Sequence, residues 1–197
     1  MATSRPNKSI SDFKSALIGG GARPNLFQVE LTTLPDAVTG WDADTFQFLC
    51  KGASLPAQNI ANIDVPFRGR IFKVAGDRTI DTWTVTVIND ENFVLRNAFE
   101  NWTQQIADLD TNIGATDPNA YMTNAKVFQL GRGSTKSSTD SSGDSNVVLK
   151  EYEFVDIFPT TVSNIDLSYD TGDTIEEFTV EFQVQSLKLT GAGGPNG

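Results

Sequence analysis

Three short stretches of the sequence combine charged side chains with glycine in patterns that suggest chemistry. Gly76, Asp77 and Arg78 form a glycine corner with two opposite charges, as in loops that hold phosphate or take part in catalysis. Asp170 begins an Asp-Thr-Gly triplet, which a homodimeric aspartic protease needs only once per chain. Residues 108–119 carry oxygen-bearing side chains at the first, third and fifth positions, as a calcium loop does.

The protease and calcium motifs both depart from the pattern that their chemistry requires. The protease triplet is normally followed by a small residue, whereas Asp173 follows it here. The calcium-like stretch has its glycine at position seven instead of six and Asn119 in place of the bidentate glutamate. Asp, Thr and Gly are also ordinary turn-forming residues. We therefore expect a turn at Asp170 and a polar loop after Asp108.

The composition excludes several further classes of site. The sequence has no histidine, which removes the commonest general base and every zinc site built on histidine. Its single cysteine, Cys50, cannot form an internal disulfide and lies in an apolar stretch typical of a buried thiol. No apolar run approaches the ~20 residues of a membrane span, and the N-terminus lacks the apolar centre of a secretory signal. We expect no cofactor, no bound metal and no membrane anchor.

Charge is distributed unevenly along the 197 residues. The formal net charge is −10, but the first 23 residues carry an excess of three positive charges, which leaves −13 on the rest. An acidic body disfavours sequence-independent binding of nucleic acid, since that needs a basic surface. Beyond the N-terminal arm, one group of basic residues is denser than any other. We expect it to contact either phosphate or acidic groups of a neighbouring chain. It consists of Arg68, Arg70, Lys73 and Arg78.

Hydrophobic periodicity indicates the elements that position these residues. Residues 52–67 show little periodicity and are predicted to form a long loop, and Gly76 is predicted to turn the chain between two hairpin arms. Residues 133–146 lack apolar side chains and are predicted to be an exposed loop. Alternation predicts strands over residues 25–32, 45–51, 68–74, 79–88, 120–132, 147–158, 165–170 and 174–189.

A single substantial helix is predicted over residues 91–109, with Asn89 or Asp90 as its cap. Its apolar residues recur at spacings of four and three and form one core stripe, which consists of Leu95, Phe99, Trp102, Ile106 and Leu109. Strands grouped around one helix predict a mainly β fold of two packed antiparallel sheets, a sandwich or open barrel, with a flanking α-helix. This domain is predicted over residues 23–189, between a flexible arm (1–22) and a flexible tail (190–197).

Several stretches together resemble the tail tube proteins of T4-like contractile-tailed bacteriophages. The block GDRT-x-D-x-WTVTV-x-NDE is the most specific of them, and the similarity runs in the same order through most of residues 22–187. Longer loops at about 33–45 and 131–146 and extended tails distinguish this chain from the family. The matching stretches are ARPNLFQVE, FQFLCKGASLPA, VAGDRTIDTWTVTVINDE, and the region from FPTTVSNIDLSYD to IEEFTVEF.

The resemblance implies a structural virion protein and no enzyme. Six copies form a ring whose sheets join into one continuous β-barrel around a lumen, and the rings stack into the tail tube. The genome passes through this tube after the contracting sheath drives it through the host envelope. The implied partners are further copies of the chain, the sheath protein, baseplate and tube-initiator proteins, the tail terminator and a tape-measure protein in the lumen. DNA passes without specific binding, and assembly takes place in the bacterial host cytoplasm.

The resemblance also implies where the contacts lie. The long loop before the glycine corner, residues 54–78, contributes to contacts between rings or subunits, and the helix lies on the outer side, nearer the sheath. The candidate contact residues are Pro66, Phe67, Arg68, Arg70, Lys73, Gly76, Asp77 and Arg78. The last strand has a polar face that suits a lumen, because its carboxylates would repel DNA phosphates. Its candidate lumen residues are Glu177, Thr179, Glu181 and Gln183.

Three other functions are compatible with the same residues. The first is the tube of a pyocin-like or type VI-like injection particle that carries protein effectors. The second is a hydrolase that uses Asp170, and the third is a monomeric carbohydrate-binding sandwich.

Overall fold

The computed structural model contains one large antiparallel sheet, one separate hairpin and three α-helices. Much of the predicted serine-rich loop, the first residues of the arm and the tail beyond Thr190 lie outside the described residues. The described ranges are 9–17, 21–31, 33–35, 38–134, 146–170 and 172–190.

The helices are short apart from the third. They are α1 (Ile10–Ala16), α2 (Ala43–Leu49) and α3 (Val94–Ile106), with a 3-10 turn at Pro118–Ala120. Eight strands account for most of the rest. They are β1 (Phe27–Glu30), β2 (Cys50–Ala53), β3 (Gln58–Phe67), β4 (Arg70–Ile80), β5 (Trp83–Ile88), β6 (Thr123–Ser134), β7 (Asn146–Val162) and β8 (Glu177–Thr190).

The large sheet has six strands in the order β1-β6-β7-β8-β5-β2, and every neighbouring pair is antiparallel. It curves toward a barrel, and helix α2 contacts both edge strands, β1 and β2, across the remaining gap. Among the described residues, strands β3 and β4 pair only with each other, and they form the second, two-stranded sheet. The predicted mainly β fold is therefore confirmed.

Strict alternation in β5 and β8 places one face of both strands in the core. Trp83 pairs with Phe182, and Val87 pairs with Phe178, and all four side chains are buried. Burial of one face of a strand pair stabilises the sheet because each cross-strand pair removes apolar surface from water. The buried face of these strands is the one that the alternation predicts. The strand predicted over residues 79–88 is interrupted at residues 81–82, which are not in strand conformation, and β5 begins after them.

Helix α3 covers this apolar face. Leu95, Phe99 and Trp102 are fully buried, and Ile106 is half-buried against the core. Ring centroids of Phe99 and Phe182 lie 6.0 Å apart, and the Trp102 ring lies 5.9 Å from the same phenylalanine. Edge-on and tilted aromatic contacts of this kind stabilise the fold beyond the contribution of the buried apolar area.

The predicted place of Leu109 in the core stripe is wrong, because its side chain is 91% exposed. The helix ends at Ile106, and the next residue, Ala107, adopts an extended backbone conformation. Asp108 then closes a tight turn by accepting hydrogen bonds from the Asp110 amide and the Thr111 hydroxyl. These bonds to the charged form lower the pKa of Asp108, with the Thr111 hydroxyl the largest cause. The turn directs Leu109 away from the core.

The start of α3 also differs from the prediction. The helix begins at Val94, three residues later than expected, after Phe93 in a left-handed conformation with φ of 55°. Asp90 nevertheless satisfies one first-turn donor, because its Oδ1 accepts a hydrogen bond of 3.1 Å from the Val94 amide. The predicted capping side chain is thus present, but it acts from outside the usual cap position.

Residues 45–51 were expected to form a strand, but most of them form helix α2. Asp42 caps this helix by accepting a hydrogen bond from the Asp44 amide, and strand β2 begins only at Cys50. Phe46 is fully buried whereas Phe48 is exposed. In a strand these two side chains would lie on the same face, but residues two apart in a helix point in different directions. The Trp41 indole, whose centroid lies 5.0 Å from that of Phe46, donates to the Leu31 carbonyl and ties the helix to the end of β1.

Two further segments differ from expectation near β7. The strand continues past its predicted end at Phe158 and reaches Val162, with a register shift at Pro159. Residues 165–170, predicted to be a strand, have no regular secondary structure. Within the described part of the chain, no helix is both long and apolar enough to cross a membrane.

Candidate functional site

The predicted long loop at residues 52–67 is wrong, because most of it forms β3 and pairs with β4 in a long hairpin. The two strands join at Arg68 and Gly69, which have φ values of 46° and 79°. Two-residue hairpin turns with positive φ match the natural twist of paired strands, and glycine adopts such angles without strain. The hairpin therefore reverses at Arg68, not at Gly76.

Gly76 has a different role from the predicted turn. It lies inside β4, at the position where the register with β3 shifts by one residue between Ile60 and Asn62. A Cβ atom at Gly76 would lie 3.0 Å from the Ala61 carbonyl oxygen and 3.2 Å from Cγ1 of Ile63. Glycine is needed here because the opposite strand approaches closely at a bulge.

None of the side chains of the hairpin strands is buried, although many are apolar. Val65 lies opposite Phe72 and Ile63 lies opposite Val74, so these four residues share one face with Phe67 at the tip. Their exposed fractions range from 40% to 66%. A contiguous exposed apolar surface of this kind is typical of an interaction site. We call these five residues the apolar face of the hairpin.

The hairpin is also the basic part of an acidic protein. Residues 58–80 contain four basic and two acidic side chains, and the tip from Pro66 to Lys73 has three basic residues and no acidic one. The guanidinium of Arg68 lies 5.4 Å from the centre of the Phe67 ring, a cation–π arrangement. Among the residues that the structure describes, Asp77 and Arg78 are exposed and form no ion pair with each other or with a third group.

The candidate contact residues therefore come together on one projecting element, whereas the candidate lumen residues lie elsewhere. Residues Glu177, Thr179, Glu181 and Gln183 alternate with buried residues of β8 and lie on the face turned away from the core. One of the carboxylates is already paired, because Nζ of Lys51 lies 2.5 Å from Oε1 of Glu177.

Neighbouring strands carry additional charges. Nζ of Lys126 on β6 lies 2.9 Å from Oε1 of Glu151 on β7, and Nζ of Lys188 on β8 lies 4.0 Å from Oε1 of Glu153. The hydrogen bond to Glu151 is the largest of the causes that raise the pKa of Lys126, and the nearby carboxylate of Glu153 acts in the same direction. The pairs join β6, β7 and β8, but they are partly exposed and each contributes little to stability.

The residues that first suggested chemistry do not converge on a site. Asp170 is exposed in the connection between β7 and β8, and within the described residues no group of three or more acidic or cysteine side chains is arranged to hold a metal ion. Cys50 is buried, and burial raises the pKa of its thiol to about 12, so that the thiol is protonated and unreactive at neutral pH.

One exposed surface was not identified from the sequence. The connection between β7 and β8 presents Leu167, Tyr169 and Ile175 to solvent, and the side chain of Tyr169 is fully exposed. The available signal was a segment with four large apolar side chains, several carboxylates and no basic residue between Ser163 and Glu176. Its short apolar alternation was instead interpreted as a strand.

Comparison with known proteins gives consistent results for sequence and fold. A family profile described as "Phage tail tube protein" matches residues 22–189. The tail tube protein gp19 of Enterobacteria phage T4 is 38% identical over 162 residues, which covers 82% of this chain and 88% of that protein. The tail tube protein of Serratia phage KSP90 is 22% identical over 177 residues and covers 89% and 93% of the two chains.

The fold is also similar to that of a chain from the cryo-EM structure of the anti-feeding prophage baseplate, 6-fold symmetrised. The TM-score is 0.62 at 10% identity, over 88% of this chain and 97% of that one. At such low identity this likeness concerns the fold alone. The family profile covers nearly the whole described chain, and the T4 relative is well above the identity at which homology is secure. The chain therefore belongs to the phage tail tube protein family.

Proposed function

We propose that six copies of this chain form a ring and that rings stack into the inner tube of a contractile phage tail. Each subunit acts as a wall element and carries no enzymatic chemistry. The family membership supports this proposal. The single observation that carries it is the projecting hairpin, whose apolar face is left exposed by the described residues of one copy.

Sheet edges give a second physical reason for assembly. The six-stranded sheet ends at β1 on one side and β2 on the other, and no further strand of the described residues pairs with the outer edges of the hairpin. Unpaired strand edges are a liability in a monomer, and a closed ring of subunits removes or covers them. Pairing of sheets between neighbouring copies would give the continuous barrel that surrounds the lumen.

The proposed partners follow from the position of a tube within a tail. They are the sheath protein outside the tube, baseplate and initiator proteins at one end, a terminator at the other, and a tape-measure protein and then DNA inside. Similar folds occur in solved structures titled as a sheath–tube complex of an extracellular contractile injection system and as a prophage baseplate, with TM-scores of 0.57 and 0.62. The T4 relative favours a phage virion over an injection particle, and we propose assembly in the host cytoplasm.

The direct test is electron microscopy of the purified chain. We expect hollow tubes of stacked six-fold rings, alone or after addition of short tube fragments as nuclei, because the hairpin offers each copy an unsatisfied apolar surface. Class averages viewed along the tube axis would count the subunits. A chain that stays monomeric at all concentrations, with or without nuclei, contradicts the proposal, as does a closed dimer.

We further propose that the polar face of β8 lines the lumen. Replacing Glu177 and Glu181 by glutamine in phage particles should slow genome release several-fold, because fewer fixed negative charges then repel the phosphates as DNA passes. Release can be followed with a DNA-binding dye after triggered contraction. Glu91→Gln, an exposed change before α3, is the matched control and should leave the rate unchanged. Equal rates for all three particles would place β8 away from the lumen.

A further inference from the structure

The connection between β7 and β8 forms a second surface with the composition of a docking site. We call residues 163–170 and 172–176 the acidic loop. Its two arms border a shallow groove whose lining includes Ile165, Leu167, Tyr169 and Ile175. The last three of these are exposed by at least 71%, which is unusual for such large apolar side chains.

The charge of this surface is opposite to that of the hairpin. Four carboxylates surround the apolar side chains of the acidic loop, and residues 163–176 contain no lysine or arginine. They are Asp166, Asp170, Asp173 and Glu176. The hairpin tip, Pro66 to Lys73, combines apolar side chains with three basic ones. Two exposed apolar surfaces with opposite charged rims are complementary in both the hydrophobic and the electrostatic sense.

The two surfaces are connected to opposite ends of strand β5. The hairpin leads into β5 at Trp83, which pairs with Phe182, and the base of the hairpin lies beside residues 183–187 of β8. The acidic loop enters β8 at Glu177, which pairs with Ile88 at the other end of β5. Five residue steps separate these pairs, about 17 Å along the strand. The hairpin and the acidic loop of one copy therefore leave the sheet at opposite ends of β5.

Complementary surfaces at opposite ends generate head-to-tail association. Such an interface is heterologous, so it repeats from copy to copy until a ring or an open filament results. A self-complementary patch, by contrast, would stop at a dimer. The occupant of the groove is accordingly another copy of this chain.

We propose that the hairpin tip of one subunit packs into the acidic loop of a subunit in the adjoining layer. Phe67 and Phe72 contact the apolar side chains of the groove. Arg70, which lies opposite Phe67 on the same face, and Arg68, which lies over the Phe67 ring, face its carboxylates. This inference rests on the proposed tube function and deepens it, because it names the receiving surface. It makes the acidic loop, which contains Asp170, an assembly element.

Disulfide cross-linking tests this contact. A chain with Phe67→Cys and Ile175→Cys, assembled and then oxidised, should give a ladder of dimers, trimers and higher species on a non-reducing gel. Each single variant should remain monomeric on the gel. The unmodified chain is a valid background, since its buried Cys50 has a thiol pKa of about 12. A Phe67→Cys/Leu109→Cys chain is the matched control and should give no ladder, because Leu109 is exposed outside both surfaces.

The outcomes separate this inference from the proposed function. Tubes that form without a ladder from the double variant overturn the inference and leave the tube function standing. Dimers from Phe67→Cys alone would show contact between two hairpins and also overturn it. If the unmodified chain forms no tubes, both proposals fail together.

Charge reversal provides a second test if the cysteine variants fail to fold. Arg68→Glu/Arg70→Glu and Asp170→Lys/Asp173→Lys should each lower tube yield about tenfold or more at moderate salt, because like charges then meet across the contact. All four changes in one chain should restore assembly to a large extent. Equal yields from every variant, or no restoration in the combined chain, would contradict the pairing.

Discussion

Replacement of residues 59–79 by a short Asn-Gly turn is expected to leave a folded monomer that forms no tubes. Gln58 and Ile80 are paired across the hairpin, so the remaining ends lie close enough for a tight turn to join them. None of the deleted side chains is buried, and the core of the six-stranded sheet keeps all its contacts. The loss should therefore fall on assembly and not on folding.

Circular dichroism during heating and analytical ultracentrifugation distinguish these two effects. The shortened chain should unfold cooperatively near the temperature of the unmodified chain and sediment as a monomer. Phe67→Ser/Phe72→Ser should reproduce the assembly defect with less change to the chain, at about 0.5 kcal/mol or less of stability for each exposed site. Leu109→Ser, at another exposed apolar residue, should assemble normally. Tubes from the shortened chain would contradict the role assigned to the hairpin.

Trp102→Ala should be among the most damaging single changes to the fold. The Trp102 side chain is fully buried on α3, contacts the Phe182 ring, and donates a hydrogen bond of 2.8 Å from Nε1 to the Tyr121 carbonyl oxygen. Truncation leaves a large cavity and removes this donor, so we expect a loss of about 3–5 kcal/mol. Domains are typically stable by about 5–15 kcal/mol, and the change therefore removes much of the total.

Urea unfolding of unassembled chains measures this effect, preferably in the background with the shortened hairpin. Leu109→Ala is the matched control, because Leu109 extends the same sequence stripe but is exposed beyond the helix end. It should change the free energy of unfolding by about 0.5 kcal/mol or less. A cost below about 1 kcal/mol for Trp102→Ala would contradict the packing of α3, as would a comparable cost for Leu109→Ala.

The elements that the sequence predicted well are those with one buried face. Strands β5 and β8 alternate between buried and exposed residues, and the first three stripe residues of α3 are buried as predicted. The first arm of the hairpin was missed and its turn was predicted at Gly76, because both faces of the hairpin are exposed in the single chain. Ile60 and Ile71 on one face and Val65 on the other obscure any one-sided alternation. Apolar residues on both faces are consistent with contacts between copies. Hydrophobic periodicity within one chain does not distinguish a strand of this kind from a loop.

Local chemistry accounts for the other differences. The aromatic residues of α2 alternate in sequence, and this alternation favours a strand. Asp42, which caps the helix, is a weaker signal for a helix, so residues 45–51 were predicted as a strand. At Gly76 the glycine was correctly identified as a backbone requirement, but a bulge and a turn both favour glycine. The acidic loop was missed because exposure of Tyr169 and Ile175 depends on how the connection leaves the sheet, which composition does not encode.

The opposite placement of the hairpin and the acidic loop has a consequence for the ends of a tube. Head-to-tail stacking leaves one end with free basic, apolar hairpins and the other with free acidic grooves, so the polymer is polar. Growth at the two ends then proceeds with different chemistry and different rates. A protein that starts the tube and one that stops it need unlike surfaces: a basic apolar projection caps the groove end, and an acidic apolar cleft caps the hairpin end. In the proposed stacking, each subunit therefore sets the direction of the tube before any other tail component binds.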